Sequence, residues 1–329
     1  MPTTVAVVLA GGRGTRLYPA STDDTPKQFR AFGGDRSLLS RAVERARAVA
    51  DETYVLTRPA YADRIHEHAP GVAVLTEPEP KDTGPALVYA AHRIREQVTD
   101  PVLLCLPSDH HVGDGYRETF ARACEVARET GGLVTLGVEP TRTATEYGYI
   151  KPGEDRGGYH PVEAFKEKPD PGGAARYREH GYLWNAGVFA WTPDALLDAA
   201  RAGELGAFVD ALGADPEGAF AAVDPVSVDY AVMEEAENAY VVPAAFDWDD
   251  LGSWDALERM LDPDASGTVS LGETLAVDTE DCVLAAGDGQ HVAAVGVNDL
   301  VVATYDGRTL VAPKREAQRV REVVAALDD

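Results

Sequence analysis

The chain has 329 residues and a formal net charge of -25 at pH 7, from 55 acidic and 30 basic side chains. A surface this acidic repels nucleic acid and anionic membranes, so neither is an expected partner. No stretch of eighteen or more apolar residues occurs, which argues against a membrane-spanning helix, and the length favours one large domain with a smaller one.

The first 140 residues alternate short apolar runs with amphipathic ones. Leu39, Val43 and Ala46 show helical spacing, whereas the runs predicted as strands are short, rich in β-branched residues and flanked by Gly, Pro or Asp. Strands are predicted over residues 5–10, 53–57, 72–75, 102–107 and 134–138, and helices over residues 38–49, 85–98 and 116–128. Repeated β-α-β units predict a Rossmann-like, mostly parallel sheet with helices on both faces. Ligands bind such sheets at the carboxyl ends of the strands.

The remaining residues predict inserted loops followed by a second domain. Residues 147–255 are less regular and richer in Gly, Pro and aromatic residues, which suits substrate loops among further strands. Beyond residue 263, short apolar runs separated by Asp, Gly and Asn turns lead to a predicted helix over 315–327. We therefore predict a catalytic domain over 1–263 and a small β module with a closing helix over 264–329.

The sequence also indicates the cellular compartment, the state of the cysteines and the salt concentration in which the protein works. The chain begins Met-Pro-Thr-Thr and enters an apolar strand without signal-peptide features, which predicts a cytoplasmic protein. Cys105, Cys124 and Cys282 are odd in number and widely spaced, so they are predicted to be free and buried. Carboxylates are spread along the whole chain and lysine is scarce, so we hypothesise a halophilic protein adapted to a salt-rich cytoplasm.

A Gly-rich segment with three nearby cations is the strongest chemical signal. Glycines directly after a strand let backbone N–H groups approach an anion closely, and Arg13, Arg16 and Lys27 add the positive charge that a triphosphate needs. The glycine spacing matches neither the dinucleotide pattern nor the Walker pattern. The segment therefore predicts a phosphate-cradling loop, made of Leu9, Ala10, Gly11, Gly12, Arg13, Gly14 and Thr15.

This loop with its downstream Pro26-Lys27 resembles the N-terminal signature of the sugar-1-phosphate nucleotidyltransferases. The resemblance continues through nearly the whole chain. Four further segments resemble that family's first metal-binding strand end, its sugar-phosphate motif, its hexose motif and its second metal-binding segment. They are Leu106–His110, Phe165–Pro169, Leu183–Phe189 and Trp248–Trp254.

Within this family the chain most resembles the mannose-1-phosphate guanylyltransferases. That resemblance rests on the Pro-Lys-Gln-Phe that begins at Pro26, on the segment Val228–Glu234, and on the tail from Gly296 to Lys314. The segment Lys81–Ala86 corresponds to the family's base-reading Asn-Thr-Ala-Pro-Ala, but it has Asp82 in place of Asn and Gly84 in place of Ala.

The resemblance implies a reaction and a cofactor. The implied reaction is attack by a sugar-phosphate oxygen of mannose 1-phosphate on the α-phosphorus of GTP, with pyrophosphate leaving. Asp109 and Asp250 would hold Mg²⁺, since this hard ion prefers one or two carboxylates together with phosphate oxygens and waters. Arg16 and Lys27 are the predicted catalytic residues, because charge accumulates on the leaving pyrophosphate.

The resemblance also implies two sets of binding residues. Asp82, Thr83, Pro85 and Ser108 join the phosphate-cradling loop as predicted nucleotide-binding residues. The second set would bind the sugar phosphate, since an ammonium suits phosphate and hexose recognition needs fixed donors and acceptors. It consists of Gly148, Glu167, Lys168, Asn185 and Gly187.

Two alternatives and one assembly state accompany this prediction. The first alternative is the same chemistry with another pair, such as glucose 1-phosphate with UTP or dTTP. The second is a non-catalytic nucleotide-sugar sensor subunit, which the presence of Arg16, Lys27, Asp109 and Asp250 disfavours. By analogy with the appendages of family members, the small β module is expected to pack on the catalytic domain or to form a subunit contact, and we predict a homodimer.

Overall fold

The computed structural model describes residues 3–328, apart from the side chain of Asp328. Met1 and Pro2, on which the signal-peptide prediction partly rests, and Asp329 lie outside the described residues. The chain groups into two compact units, each discontinuous in sequence. The sheet unit comprises residues 3–11, 43–107 and 113–248, and the coil unit comprises residues 12–42, 108–112 and 249–328. The boundary at residue 263 stays a prediction, and the coil unit also includes two segments that precede it.

Seventeen strands are present in the described residues. They are β1 (Thr4–Leu9), β2 (Glu52–Thr57), β3 (Ala73–Thr76), β4 (Val102–Pro107), β5 (His110–Val112), β6 (Leu133–Val138), β7 (Tyr149–Pro152), β8 (His160–Lys166), β9 (Leu183–Trp191), β10 (Ala239–Pro243), β11 (Trp248–Asp250), β12 (Val269–Leu271), β13 (Thr274–Val277), β14 (Val283–Ala286), β15 (Val292–Val295), β16 (Leu300–Tyr305) and β17 (Arg308–Pro313). The five strands predicted before residue 140 are all present, with ends displaced by one residue at most.

Ten α-helices accompany these strands. They are α1 (Leu38–Arg47), α2 (Ala62–His68), α3 (Thr83–Arg95), α4 (Tyr116–Thr130), α5 (Pro171–Glu179), α6 (Pro193–Ala202), α7 (Gly206–Leu212), α8 (Pro216–Ala222), α9 (Trp254–Met260) and α10 (Val320–Asp328). Helix α2 escaped prediction because it has seven residues and only Ile65 is buried, too few positions to show a helical period. Within residues 3–328, no helix is both long and apolar enough to cross a bilayer.

A nine-stranded sheet organises the sheet unit, in the order β3-β2-β1-β4-β9-β6-β10-β8-β7. The pairings place seven of its strands in one direction, and only β8 and β9 run opposite to them. The predicted mostly parallel sheet is therefore confirmed. Strand β9 lies between β4 and β6 and was not predicted as a strand. Its second half, from Val188 to Trp191, is continuously apolar and buried, as central strands are.

Much of the coil unit is built from parallel strand pairs, and an antiparallel pair, β16 with β17, accompanies them. Strand β14 pairs with β16 through Val283 and Val301, and β13 pairs with β15 in the same sense, each pair lying 18 residues apart in sequence. The corners between strands use left-handed backbone, with φ of 51° at Asp281 and 57° at Asp299. Helix α10 closes the chain, so the predicted β module with a terminal helix is confirmed.

The apolar core of the coil unit holds the Gly-rich loop in place. Leu17, directly after Arg16, is fully buried in a cluster with Leu251 and Trp254 and with side chains of β14 and β16. The Trp254 indole N–H donates to the backbone oxygen of Tyr18 at 3.0 Å. Burial of Leu17 directly after Arg16 restricts the direction in which the Arg16 side chain leaves the backbone.

Candidate active site

A buried ion pair marks the polar site of the coil unit. The Lys27 ammonium contacts the carboxylate of Asp109 and donates to the backbone oxygen of Leu251 at 3.4 Å. Asp109 lies in the turn between β4 and β5, and its backbone oxygen accepts from the Leu251 N–H at 3.3 Å. Asp250, at the end of β11, is thereby brought to the same place as Asp109. We call Arg16, Lys27, Asp109 and Asp250 the Lys27 cluster.

Lys27 and Asp109 hold each other ionised. Burial lowers the pKa of the Lys27 ammonium, but attraction to Asp109 and Asp250 outweighs it, and the pKa is raised. Burial raises the pKa of Asp109, but the opposing effect of Lys27 and the nearby His110 is larger. The pKa of this carboxyl therefore falls below its ordinary value. Lys27 is therefore cationic and Asp109 anionic at neutral pH.

The Gly-rich loop is fastened to the backbone of Lys27. Gly14 has a left-handed φ of 64°, and a Cβ there would lie 2.8 Å from the Lys27 side chain, so only glycine lets that side chain pass. The Ser21 hydroxyl accepts from the Lys27 N–H at 3.0 Å and donates to the Arg13 oxygen at 2.7 Å. Arg13, predicted to face the triphosphate, is paired with Asp23 through two bonds of 2.6 Å.

Arg16 is held by a residue that sequence analysis missed. Its guanidinium donates to the Gln318 side chain at 3.1 Å, and Gln318 in turn donates to the Ser253 hydroxyl at 3.0 Å. A Cβ on Gly252 would lie 2.8 Å from an Arg16 nitrogen and 3.0 Å from the nearest Asp250 carboxylate oxygen. The Arg16 guanidinium and the Asp250 carboxylate therefore lie close to each other beside Gly252. No local pattern joins positions 16 and 318, which is why Gln318 was not singled out.

The strand-end part of the predicted loop lies in the sheet unit. The Ala10 N–H donates to the Leu56 oxygen at 2.8 Å, and the Ala10 oxygen accepts from the Thr57 hydroxyl at 3.0 Å.

A buried carboxylate lies beside this part of the loop. A Cβ on Gly11 would lie 2.9 Å from a carboxylate oxygen of Glu77, which is buried. Burial raises the pKa of Glu77 to about 7, although Arg58 opposes the shift. Glu77 is a second residue that sequence analysis missed.

The segment after Glu77 begins helix α3. The Asp82 carboxylate accepts from the Thr83 N–H at 2.6 Å and caps the helix, in an exposed position with a φ of 68°. The Thr83 hydroxyl accepts from the Val228 N–H at 3.0 Å, and Pro85 is buried in the first turn. The predicted base-reading role of Asp82 stays a prediction, and one of its oxygens is engaged by the cap.

Replacement of Gly84 by alanine is expected to destabilise the fold. A Cβ there would lie 2.7 Å from the backbone oxygen of Val226, which already accepts the Gly84 N–H at 3.0 Å. Overpacking of this kind costs about 1–3 kcal/mol, so the melting temperature of Gly84→Ala should fall by several degrees. Gly213→Ala is the control, since its Cβ would meet nothing nearer than 3.8 Å at an ordinary helical φ. Equal melting temperatures would contradict this interpretation of Gly84.

The predicted sugar-phosphate residues converge from the start of β7, the end of β8 and the first five residues of β9. Lys168 forms an ion pair of 2.7 Å with Glu167, and a Cβ on Gly148 would lie 2.4 Å from the other Glu167 oxygen. The Gly148 oxygen accepts from the Asn185 N–H at 2.9 Å, and the Gly187 N–H donates to the Asn185 side chain at 3.1 Å. We call these five residues the Glu167 cluster. All of them lie in the sheet unit.

The predicted site residues therefore fall into two sets. The structure brings the catalytic and metal residues together, and it brings the sugar-phosphate residues together. Gly12 is exposed and Ser108 is buried, and their predicted roles stay predictions. The coil unit holds Gly12, Arg13, Gly14, Thr15, Arg16, Lys27, Ser108, Asp109 and Asp250, and the sheet unit holds Leu9, Ala10, Gly11, Asp82, Thr83, Pro85 and the Glu167 cluster.

Comparison with known proteins bears on both units. A family model described as nucleotidyl transferase matches residues 5–266, and one described as a MannoseP isomerase/GMP-like beta-helix domain matches residues 272–327. The crystal structure of mannose-1-phosphate geranyltransferase from Thermus thermophilus superposes with a TM-score of 0.92, at 40% identity, over 99% of this chain and 100% of that one.

Two curated relatives are similar over nearly the whole chain. The xanthan biosynthesis protein XanB of Xanthomonas campestris is 35% identical over 99% of this chain and 74% of its own length. The mannose-1-phosphate guanylyltransferase of Sinorhizobium fredii is 34% identical over 99% of this chain and 68% of its own length. The predicted α/β nucleotidyltransferase fold with its C-terminal β module is confirmed. The chain is a nucleotidyltransferase enzyme and belongs to the sugar-1-phosphate nucleotidyltransferase family.

Proposed function

We propose that this enzyme transfers GMP from GTP to α-D-mannose 1-phosphate, giving GDP-mannose and pyrophosphate. The Lys27 cluster carries this proposal, because two cations and two carboxylates converge there from separate parts of the chain. The substrate pair is supported by the name of the Sinorhizobium relative, whose sequence aligns with nearly all of this chain. The Glu167 cluster supplies hydrogen-bonding groups of the kind that a hexose phosphate requires.

The proposed reaction proceeds by direct displacement. An oxygen of the mannose 1-phosphate phosphate group forms a bond to the α-phosphorus, and the bond from that phosphorus to the bridging oxygen of the β-phosphate breaks. The electron pair leaves with pyrophosphate, so no proton donor and no covalent intermediate are required. Arg16 and Lys27 would neutralise the charge that grows on pyrophosphate, because the protein already holds both positively charged side chains in place before the reaction.

The carboxylates of the Lys27 cluster fit a divalent magnesium ion. Among residues 3–328, no group of three or more His, Cys, Asp and Glu side chains is arranged to hold a metal. Mg²⁺ usually takes only one or two protein carboxylates and completes its shell with phosphate oxygens and waters, so Asp109 and Asp250 suit it. When bound, the ion would supply positive charge to the phosphate oxygens and align them.

Glu77 supports guanine as the base. Its carboxylate lies beside Gly11 of the phosphate-cradling loop and is buried. The pairing edge of guanine presents two adjacent N–H donors, and a carboxylate can accept both, whereas uracil and thymine present one donor between two acceptors. A buried carboxylate at this place therefore favours GTP over UTP and dTTP.

Replacement of Glu77 by glutamine is expected to stabilise the free protein increasingly as the pH rises. Because the folded pKa of Glu77 is raised to about 7, its contribution to stability is complete below the ordinary value of 4.5 and is lost as the pH passes 7. The neutral amide does not ionise, so the melting temperature of Glu77→Gln should exceed that of the wild type at pH 8 and converge with it at pH 5. Glu79→Gln, an exposed neighbour, is the control. Parallel curves for Glu77→Gln and the wild type would contradict the assigned titration.

The substrate assay is the direct test of the proposed function. The purified protein is incubated in low and in molar KCl with Mg²⁺, mannose 1-phosphate and GTP, ATP, UTP or dTTP in turn, with glucose 1-phosphate as the paired control. Pyrophosphate release with GTP and mannose 1-phosphate should exceed release with every other pair. A preference for another pair would keep nucleotidyl transfer and replace the substrates, whereas nucleotide binding without release would favour the sensor subunit.

A homodimer is part of the same proposal. In the coil unit, Leu275, Val277 and Val295 are exposed by 45 to 67% on paired strands β13 and β15, where they form an apolar surface. Contiguous exposed apolar side chains are a common feature of subunit contacts. Sedimentation at low and molar KCl should give a mass near twice 35.1 kDa, and a monomer in both would contradict the proposal.

A further inference from the structure

Asp229 contacts the Glu167 cluster and is not one of its five predicted sugar-phosphate residues. Its carboxylate accepts a hydrogen bond of 2.8 Å from the Asn185 side-chain amide. The oxygen of the same amide accepts from the Thr135 hydroxyl at 2.9 Å and from the Gly187 N–H at 3.1 Å. Asn185 is thus held from three sides, and the second hydrogen of its amide nitrogen remains available to a ligand.

Glu167 and the neighbouring Asp229 both have unused acceptor capacity. The Glu167 oxygen that faces Gly148 is buried and has no hydrogen-bond partner in residues 3–328. The Asp229 carboxylate accepts one hydrogen bond from Asn185, whereas a carboxylate can accept about four hydrogen bonds. A buried acceptor without a partner costs free energy, so it is expected where a ligand supplies the missing donor. Sugar hydroxyls are such donors.

The backbone around Asp229 is shaped to place its side chain here. Asp229–Met233 forms a single turn of π-helix, a rare conformation that occurs mostly at functional sites. At the end of this turn, the Glu234 carboxylate accepts from the Glu167 N–H at 2.9 Å. Before it, the Val228 N–H is bound by the Thr83 hydroxyl. The segment is therefore anchored on both sides of Asp229.

We propose that Asp229 is a specificity-determining residue of the hexose site, where it and Glu167 accept hydrogen bonds from two neighbouring hydroxyls of the sugar. Asn185 orients the Asp229 carboxylate, and Lys168 remains beside Glu167 to meet the phosphate. This inference rests on the proposed function, because it names the residues that read the sugar of the same reaction.

The electrostatics of the cluster agree with this role. Burial and the nearby Glu167 raise the pKa of Asp229 to about 7, although Lys168 and the Asn185 amide oppose the shift. Glu234 and Tyr230 are further titratable groups close to this site. Donation from two hydroxyls would favour the ionised carboxylate, so protonation of Asp229 should weaken sugar binding as the pH falls below 7.

The test compares Asp229→Asn with the wild type on a series of sugar phosphates. The series contains mannose 1-phosphate and its 2-, 3-, 4- and 6-deoxy analogues, each with saturating GTP. With mannose 1-phosphate, Asp229→Asn should lower kcat/KM by about 10- to 100-fold, mainly through KM, because a hydrogen bond to a charged acceptor is lost. With the one analogue that lacks the hydroxyl read by Asp229, the variant and the wild type should differ by less than about threefold. Asp224→Asn, an exposed residue nearby, is the control.

The outcomes separate the inference from the proposed function. An equal loss for all five sugar phosphates would overturn the inference, because it would mean that Asp229 only supports Asn185. No pyrophosphate release by the wild type with mannose 1-phosphate would instead overturn the proposed function. For mannose 1-phosphate, the kcat/KM of the wild type divided by that of Asp229→Asn should also fall from pH 8 to pH 6. Titration of the sugar phosphate itself affects both enzymes equally and cancels in this ratio. If Asp229→Asn does not fold, Asp229→Glu is compared on the same series, with the same predicted pattern.

Discussion

Replacement of Lys27 by methionine is expected to lower kcat by about 10²- to 10³-fold or more, the scale found when one positioned charge donor is removed. Methionine fills a similar volume without the ammonium that contacts Asp109 and lies near Asp250. The two carboxylates would then repel the triphosphate as well as fail to stabilise the leaving pyrophosphate. Both effects act in the same direction, so this is the largest loss that we expect from a single substitution.

Steady-state pyrophosphate release at saturating GTP, mannose 1-phosphate and Mg²⁺ measures the Lys27→Met effect. Lys151→Met is the matched control, because Lys151 pairs with Glu163 on the surface of the sheet unit. An unchanged kcat together with a higher KM for GTP would show that Lys27 binds the ground state only, and its assignment as a catalytic residue would be wrong.

Asp109→Asn is expected to lower activity by at least about 10²-fold and to destabilise the protein. The substitution removes a proposed Mg²⁺ ligand, and it leaves the buried Lys27 ammonium without its closest partner. Breaking a buried pair in this way costs about 3–5 kcal/mol. Because the folded pKa of Asp109 is depressed, its contribution to stability is present above the ordinary value of 3.8 and is lost as the pH falls through the folded value.

Thermal unfolding from pH 7 downward tests the stability part of the Asp109 prediction. The difference in melting temperature between the wild type and Asp109→Asn should be constant down to about pH 4 and should narrow below it. Asp114→Asn, an exposed change a few residues along the chain, should melt with the wild type. A variant that is inactive yet equally stable would show that Asp109 serves the metal without supporting Lys27.

Local patterns were enough to predict most of the N-terminal half of the sheet. Strands such as β1 appear in the sequence as short continuous apolar runs, and helices such as α4 are long enough for their period to appear. Glycine caps also mark both ends of α4. Strand β9 escaped because its middle carries Asn185 and Gly187, which interrupt an otherwise apolar run. Its place between β4 and β6 is set by tertiary pairing, and no local signal encodes that.

The site was predictable only where its residues lie in recognisable segments. Lys27, Asp109 and Glu167 stand in such segments, and the structure gives them close partners. Gln318, Glu77 and Asp229 act through contacts with residues far away in the sequence. Gln318 and Glu77 look like ordinary polar residues in their own segments. Asp229 lies in the segment Val228–Glu234, which carries part of the resemblance, but no local pattern indicates its contact with Asn185. Their importance lies in what surrounds them after folding, such as burial around a carboxylate, which raises its pKa.

The aspartates at the corners of the coil unit make the electrostatic repulsion between successive turns depend on the salt concentration. Asp281 and Asp299 occupy equivalent corners of successive turns, since the strands that follow them pair in register, and both are exposed. Successive turns lie about 4.8 Å apart, so two unscreened carboxylates there repel by about 1 kcal/mol or less. Molar salt shortens the range of that repulsion to about 3 Å, whereas 0.1 M salt leaves it at about 10 Å. An aspartate at each of these corners thus makes the backbone turn and also adds a like charge next to its neighbour, whose repulsion dissolved salt weakens.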